Sequence, residues 1–146
     1  MGSLTNYAAQ ATLNALFGKT SAFGALGSRP TLYVAASTTA PAENGTGVSE
    51  PSGAGYARVA TAPSDWTAAS LADPSSLANS ADIAFNAATG AWGTLSHFAI
   101  FDAASGGNLI ASGALLDPST DAPRTRIIES GDALFFAIGG LTFTLD

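Results

Sequence analysis

The chain is predicted to fold as a mainly β protein, an antiparallel β-sandwich of jelly-roll-like form with one short N-terminal helix. Three observations predict this. Strand-like runs recur along the sequence: Thr31–Ser37, Tyr56–Ala60, Ala81–Phe85, Thr94–Phe101, Leu109–Leu115, Arg124–Ile128, Ala133–Ile138 and Leu141–Leu145. Turn clusters such as AATGAWG and DAASGGN divide them, and apolar runs bounded by Gly, Asn, Asp and Ser read as strands joined by short loops. The terminal run alternates strictly, with Leu141, Phe143 and Leu145 on one face and Thr142, Thr144 and Asp146 on the other. That is the pattern of a strand with one buried and one wet face. Short strands at this spacing pack as two antiparallel sheets, and the unequal loops favour a jelly roll.

Taken in order, the first element is a helix over Leu4–Phe17, with Ser3 as N-cap and Gly18 as the residue past its end. Leu4, Tyr7, Ala8, Ala11 and Ala15 share one face, while Leu13, Leu16 and Phe17 cluster on another. A surface helix usually shows one apolar stripe. Two readings follow: a helix tucked against the sandwich with its Ala residues facing water, or a helix held between its own domain and a neighbour. Residues 19–30 form a Gly/Ser/Ala-rich arm, so the organisation expected is a helix and arm over 1–30 and a sandwich over 31–146. Ala40–Gly55 is a long loop with one short β piece near Val48, and loops of that length are usually functional or mobile. Ala62–Ala78 reads as irregular, tied down by Trp66 and Leu71. Gly139-Gly140 suits a two-residue hairpin turn between the last two strands.

Composition narrows the function. With 146 residues the chain is long enough for a real core, and zero Cys removes thiolate catalysis, Cys-ligated zinc and disulfides. Only 11% of residues are charged, against about 25% in ordinary soluble domains. Hydrophobic residues reach 47%. Burying part of that surface against copies of itself or a shell is one solution. The net charge is -6 and the five basic residues (Lys19, Arg29, Arg58, Arg124, Arg126) form no dense patch, which argues against a nucleic-acid partner. No apolar run approaches the ~20 residues of a membrane helix, and the N-terminus lacks a secretory pattern. The expectation is a soluble protein made in a cytoplasm, neither secreted nor membrane-bound on its own.

Chemistry is sparse. His97 is the single histidine, and without a nucleophile and orienter it reads as a packed, hydrogen-bonded strand residue. Asp102–Asn108 offers oxygen ligands but not the spacing of a calcium loop; a turn in which Asp and Asn bond their own backbone, with Gly106-Gly107 in unusual dihedrals, is the better account. Asn44-Gly45-Thr46 matches a glycosylation sequon without a secretory context. Trp92 plugs one end of the sandwich or anchors an interface. Arg58 pairs a carboxylate across strands or lies on a solvated face. Arg124 and Arg126 share a face if the run is extended, and would meet an acidic surface. No catalytic, cofactor or metal site is expected; the candidate interface is Leu4, Tyr7, Leu13, Leu16, Phe17, Arg124 and Arg126.

The order GYARVA (Gly55–Ala60), Asn79, Trp92-Gly93, His97, IFD (Ile100–Asp102), GGNL (Gly106–Leu109), GAL (Gly113–Leu115) and LTFTLD (Leu141–Asp146) resembles a family of tailed-bacteriophage virion β-sandwich proteins. Its members are called capsid cement (decoration) proteins, or tail-fibre or minor tail proteins. The resemblance implies a non-enzymatic structural protein. The favoured expectation is a cement protein on the outer capsid surface of the virion, reinforcing contacts between capsomers. Its partners would be the major capsid protein and itself, as a homo-oligomer (dimer or trimer). The alternative is a tail-fibre or minor tail component in host adsorption or carbohydrate binding.

Overall fold

The computed structural model describes residues 5–20 and 30–145. It is mainly β, with antiparallel sheets and one short helix, as the sequence predicts. The strands are β1 (Leu32–Ser37), β2 (Val59–Thr61), β3 (Ser75–Ala78), β4 (Ile83–Ala84), β5 (Gly93–Leu95), β6 (His97–Phe101), β7 (Leu109–Ala114), β8 (Arg126–Ile128), β9 (Phe135–Phe136) and β10 (Thr142–Leu145). The helix, α1, spans Asn6–Leu16, and a single 3-10 turn covers Pro63–Asp65. No described helix is long and apolar enough to cross a membrane.

Two compact units interleave along the chain. The first takes the described parts of Met1–Pro30, Ala62–Ile83 and Phe136–Asp146; the second takes Thr31–Thr61 and Ala84–Phe135.

In the first unit α1 packs on β3 and β10, which pair with each other in the register Phe143↔Leu77. Thr5 is the N-cap, its side chain accepting the Ala8 N–H at 3.3 Å, which corrects the expectation of Ser3. Ser3 and Leu4 lie outside the described residues. The helix ends as expected at Gly18, whose φ of 72° is open to glycine; Gly18 N–H bonds Ala15 O and Lys19 N–H bonds Asn14 O, the paired closure of a Schellman motif. Ala9, Ala11, Leu13, Asn14, Ala15 and Phe17 are all buried and Ala8 is half-buried, so most of the Ala residues do not face water. Phe17 meets Trp66 edge-on at 4.9 Å and Phe143 at 5.2 Å, an aromatic centre that also carries Trp66–Phe143 at 5.6 Å. The alternation in the last strand holds: Leu141 and Phe143 are buried, Thr142 and Thr144 exposed.

The second unit is built on a four-stranded antiparallel sheet in the order β2-β1-β6-β7, beside which β5 pairs with β8. β1 and β6 are buried along nearly their whole length, which explains why they read as continuous apolar runs without alternation. A second aromatic group, Tyr56, Phe85 and Trp92, holds its core, with Trp92 edge-on to Tyr56 at 5.2 Å. Trp92 is buried and its indole N–H donates to Ala54 O at 2.9 Å, so it fills a core position.

Several expected boundaries are corrected. Thr94–Phe101 breaks at Ser96, because β5 takes β8 as its partner while β6 takes β7. Tyr56–Ala60 is strand only from Val59, since Tyr56 and Arg58 are engaged through their side chains. The stretch near Val48 is not a strand; Val48 instead packs on Ala35, Ala99 and Phe101. Ala62–Ala78 contains β3, which the sequence does not announce. Gly139-Gly140 does not make a hairpin: β10 pairs with β3, and Gly139 N–H bonds Asn79 O.

Candidate binding surface

The densest polar constellation among the described residues gathers on Arg58, in the second unit. It directly precedes β2, and its side chain is only 6% exposed. The guanidinium is planar with donors in a fixed fork, and every edge is used. Nε donates to both Glu50 carboxylate oxygens (3.0 and 3.1 Å), and Nη2 also bonds Glu50. Nη1 donates to Ala103 O and Gly106 O, each at 2.7 Å. The plane stacks on Phe101, 3.6 Å from the ring centre, a cation–π contact. One side chain thus joins the long loop, the lead into β2 and the β6–β7 turn.

Tyr56 extends the network. Its O–H donates to Glu50 Oε2 at 2.7 Å and accepts the Ala36 N–H at 3.0 Å. Burial raises the Glu50 pKa, but hydrogen bonds from Arg58 and Tyr56 together outweigh it and hold the carboxyl below its ordinary value. The Tyr56 phenol is pushed well above its ordinary value, first by burial and then by the Glu50 carboxylate it donates to.

Two loops frame this cluster. In the long loop, Ser37 Oγ accepts the Ser49 N–H at 2.9 Å and Thr38 N–H donates to Ser49 O at 2.9 Å, strapping the loop beside β1. In the β6–β7 turn, Asp102 accepts the Asn108 backbone N–H (2.7 Å) and side-chain amide (2.8 Å), which hold its pKa down. Gly106 and Gly107 take φ of 61° and 77°. A Cβ at Gly107 would fall 2.5 Å from Asp102 Oδ1, so this turn requires glycine there. This is the self-bonded turn read from the sequence. A shallow, open concavity of about 330 Å³ lies over Glu50, Tyr56, Arg58 and Ser105. Its charged groups are already paired with one another, so it presents shape and backbone rather than reactive atoms.

The residues singled out from the sequence are dispersed. Leu4 lies outside the described residues. Tyr7 is 54% exposed, Leu16 is half-buried, and Leu13 and Phe17 are buried in their own unit. Arg124 is exposed and pairs with Asp117 at 2.6 Å; Asp117 is held low first by Ser119, through side chain and backbone, and then by Arg124. Arg126 is half-buried, with Nη2 donating to Leu116 O at 3.4 Å. His97 Nδ1 lies 2.8 Å from Ser96 Oγ, a contact between chain neighbours. No group of His, Asp or Glu among the described residues could hold a metal ion. The residue missed from the sequence is Glu50. Arg58 signalled a carboxylate partner, but one across strands, whereas Glu50 arrives from the irregular loop.

Residues 3–144 match the family described as Podophage GP4 fiber I protein gp80. The chain belongs to that family. It is therefore a phage structural protein. No curated protein matches it significantly.

Within the fiber I match, the short motifs that carry the resemblance have structural work. GYARVA supplies Tyr56 and Arg58. Asn79, 1% exposed, is a buried amide whose Nδ2 donates to Ala81 O (2.9 Å) and Ala137 O (2.8 Å) and whose Oδ1 accepts the Leu141 N–H (2.8 Å). It fixes the bend at 137–141 that turns β10 onto β3. Gly113 faces Phe98: a Cβ there would sit 2.8 Å from the ring, so only glycine lets β7 close over it. A weak, ordered string of motifs of this kind is what the packing of this fold demands.

Proposed function

We propose that the protein is a non-enzymatic structural subunit of a podophage fibre, present in several copies per particle and acting through surface contact alone. The observation that carries this reading is the family match over residues 3–144, whose description names a fibre. Two features support the non-catalytic part. The most concentrated charged cluster, Glu50–Arg58, is consumed by internal pairing, and the single histidine bonds its chain neighbour. Self-association and a virion partner belong to this reading, while a nucleic-acid or membrane partner does not. A capsid cement role, with the major capsid protein as partner, is the second reading; the ordered resemblance to decoration proteins and the 11% charge favour it. A cement protein binding only the assembled shell would stabilise it by mass action. Imaging of intact particles carrying an antibody or tag on this chain separates the two. Label on projecting fibres is expected; label spread over the shell would replace the fibre reading by the cement one.

A further inference from the structure

We infer that Asn44 is a latent site of spontaneous deamidation, held unreactive in the folded chain by the turn around it. The chain has six asparagines, and Asn44 is the one followed by glycine. A glycine nitrogen has no side chain beside it to obstruct attack on the preceding amide. Asn44 and Gly45 are both exposed, so water reaches them. In the reaction the Gly45 backbone nitrogen gives up its proton and bonds the Asn44 side-chain carbonyl carbon. The bond from that carbon to Nδ2 breaks, and the nitrogen leaves as ammonia. Water then opens the five-membered imide at either carbonyl, giving aspartate or isoaspartate.

Both reacting groups are tied down. The Gly45 N–H donates to Ala42 O at 2.9 Å and the Ala42 N–H donates to Thr46 O at 2.8 Å, closing a tight turn with Gly45 at φ 84°. Asn44 Oδ1 accepts the Thr46 N–H at 3.1 Å and the Thr46 hydroxyl at 2.7 Å. Gly47, at φ 81°, lets the limbs of the loop close, since a Cβ there would lie 3.0 Å from Ala40 O. Loss of the Gly45 proton breaks its bond to Ala42, and turning the Asn44 amide onto the freed nitrogen draws Oδ1 from its Thr46 donors. The reaction therefore proceeds through local opening of the turn. The triplet that matches a glycosylation sequon thus has another chemical role, in which the Thr46 hydroxyl guards the amide two residues before it. Either product places a second carboxylate beside Glu43. Isoaspartate also adds a methylene to the main chain, which breaks the Ala42–Thr46 pairing. A subunit built into a phage particle is not renewed, so the opening of this turn sets how long the loop keeps its shape.

The test is peptide mass spectrometry of the full chain incubated at pH 8, native and in urea, beside Thr46→Val. Conversion at Asn44 is expected to be slow in the native wild type and fast in urea. Native Thr46→Val, which loses the hydroxyl bond but keeps the backbone one, is expected to convert about fivefold faster than the native wild type, the equivalent of one hydrogen bond. The two chains should convert equally in urea. Equal rates for the native and urea-unfolded wild type would overturn the proposal. So would a native Thr46→Val that converts no faster, or more slowly, because the hydroxyl would then leave the amide unaffected or activate it. Should that variant fail to fold, amide exchange on the wild type decides: a protected Gly45 N–H supports the guarded turn, and exchange at the free-peptide rate refutes it. Absence of the protein from particles would sink the fibre and cement readings while leaving this result standing.

Discussion

The two units solve the same problem with different chemistry. The first is centred on neutral groups, an aromatic trio of Phe17, Trp66 and Phe143 and the buried Asn79 amide at the 137–141 bend, with Asp65 and Asp82 each accepting one exposed backbone N–H. The second has an aromatic group of similar make-up, Tyr56, Phe85 and Trp92, but ties its loops with ionised groups, and both ion pairs among the described residues lie there. A neutral amide works at any pH, whereas a carboxylate–guanidinium clasp works only while both partners are charged. In a chain with 11% charge, the few charges are concentrated where irregular loops must be fastened.

The largest expected effect tests the neutral side. Asn79→Ala leaves two carbonyls and one N–H without their buried partner, at a cost of about 4 kcal/mol. In urea titrations that loss should be the same at pH 3.5 and pH 7, on either side of the ordinary Glu50 value of 4.5. A loss that varied with pH would break the contrast between the units.

Arg58→Ala comes next. It strands the partly buried Glu50 carboxylate and two backbone carbonyls, for a loss of about 2 kcal/mol, since the 23% exposure of Glu50 lets water take up part of it. Arg58→Lys should recover little, because a single ammonium cannot replace a fork that meets Glu50, Ala103 and Gly106 at once. Equal stability of the Lys variant and the wild type, by thermal melting, would show that charge alone suffices.

The pH dependence sharpens the same point. The Glu50 pKa is lowered in the fold, so its stabilisation is full above its ordinary value of 4.5 and disappears as pH falls through the lowered folded value. The Tyr56 pKa is raised, so its contribution is full below the ordinary 10.0 and is lost as pH rises above it. Glu50→Gln should flatten the acid limb of a stability–pH profile, and Tyr56→Phe the alkaline limb. Asp102 and Asp117 shift in the same direction as Glu50 and leave a residual acid limb in either variant. Smallest of all, His97→Ala should cost about 1 kcal/mol through the contact with Ser96.

What could be read from the sequence was local. β1, β7, the alternation in β10, the Gly18 helix end and the 102–108 turn each follow from neighbouring residues. What could not be read depends on partners far along the chain or on irregular loops that carry no pattern of their own. β3 is SSLA, with no β-branched or aromatic residue, and is a strand because β10 lies beside it and because Ser75 bonds Asn6 O and Ala72 O. Gly139-Gly140 looks like a hairpin until Asn79, some sixty residues earlier, claims the bend. Glu50 sits in a stretch dense in Pro, Gly and Ser, with nothing nearby to mark it as the partner of Arg58.

The central claim is that this chain is a structural part of the virion and acts by contact alone. Quantitative mass spectrometry of gradient-purified particles tests it most directly, with peptides of this chain counted against those of the major capsid protein. A fixed, reproducible ratio is expected in every preparation, low for a fibre subunit and near one copy or more per capsomer for a cement protein. Loss of the protein from particles during purification, with its peptides found only in the lysate of infected cells, would contradict it.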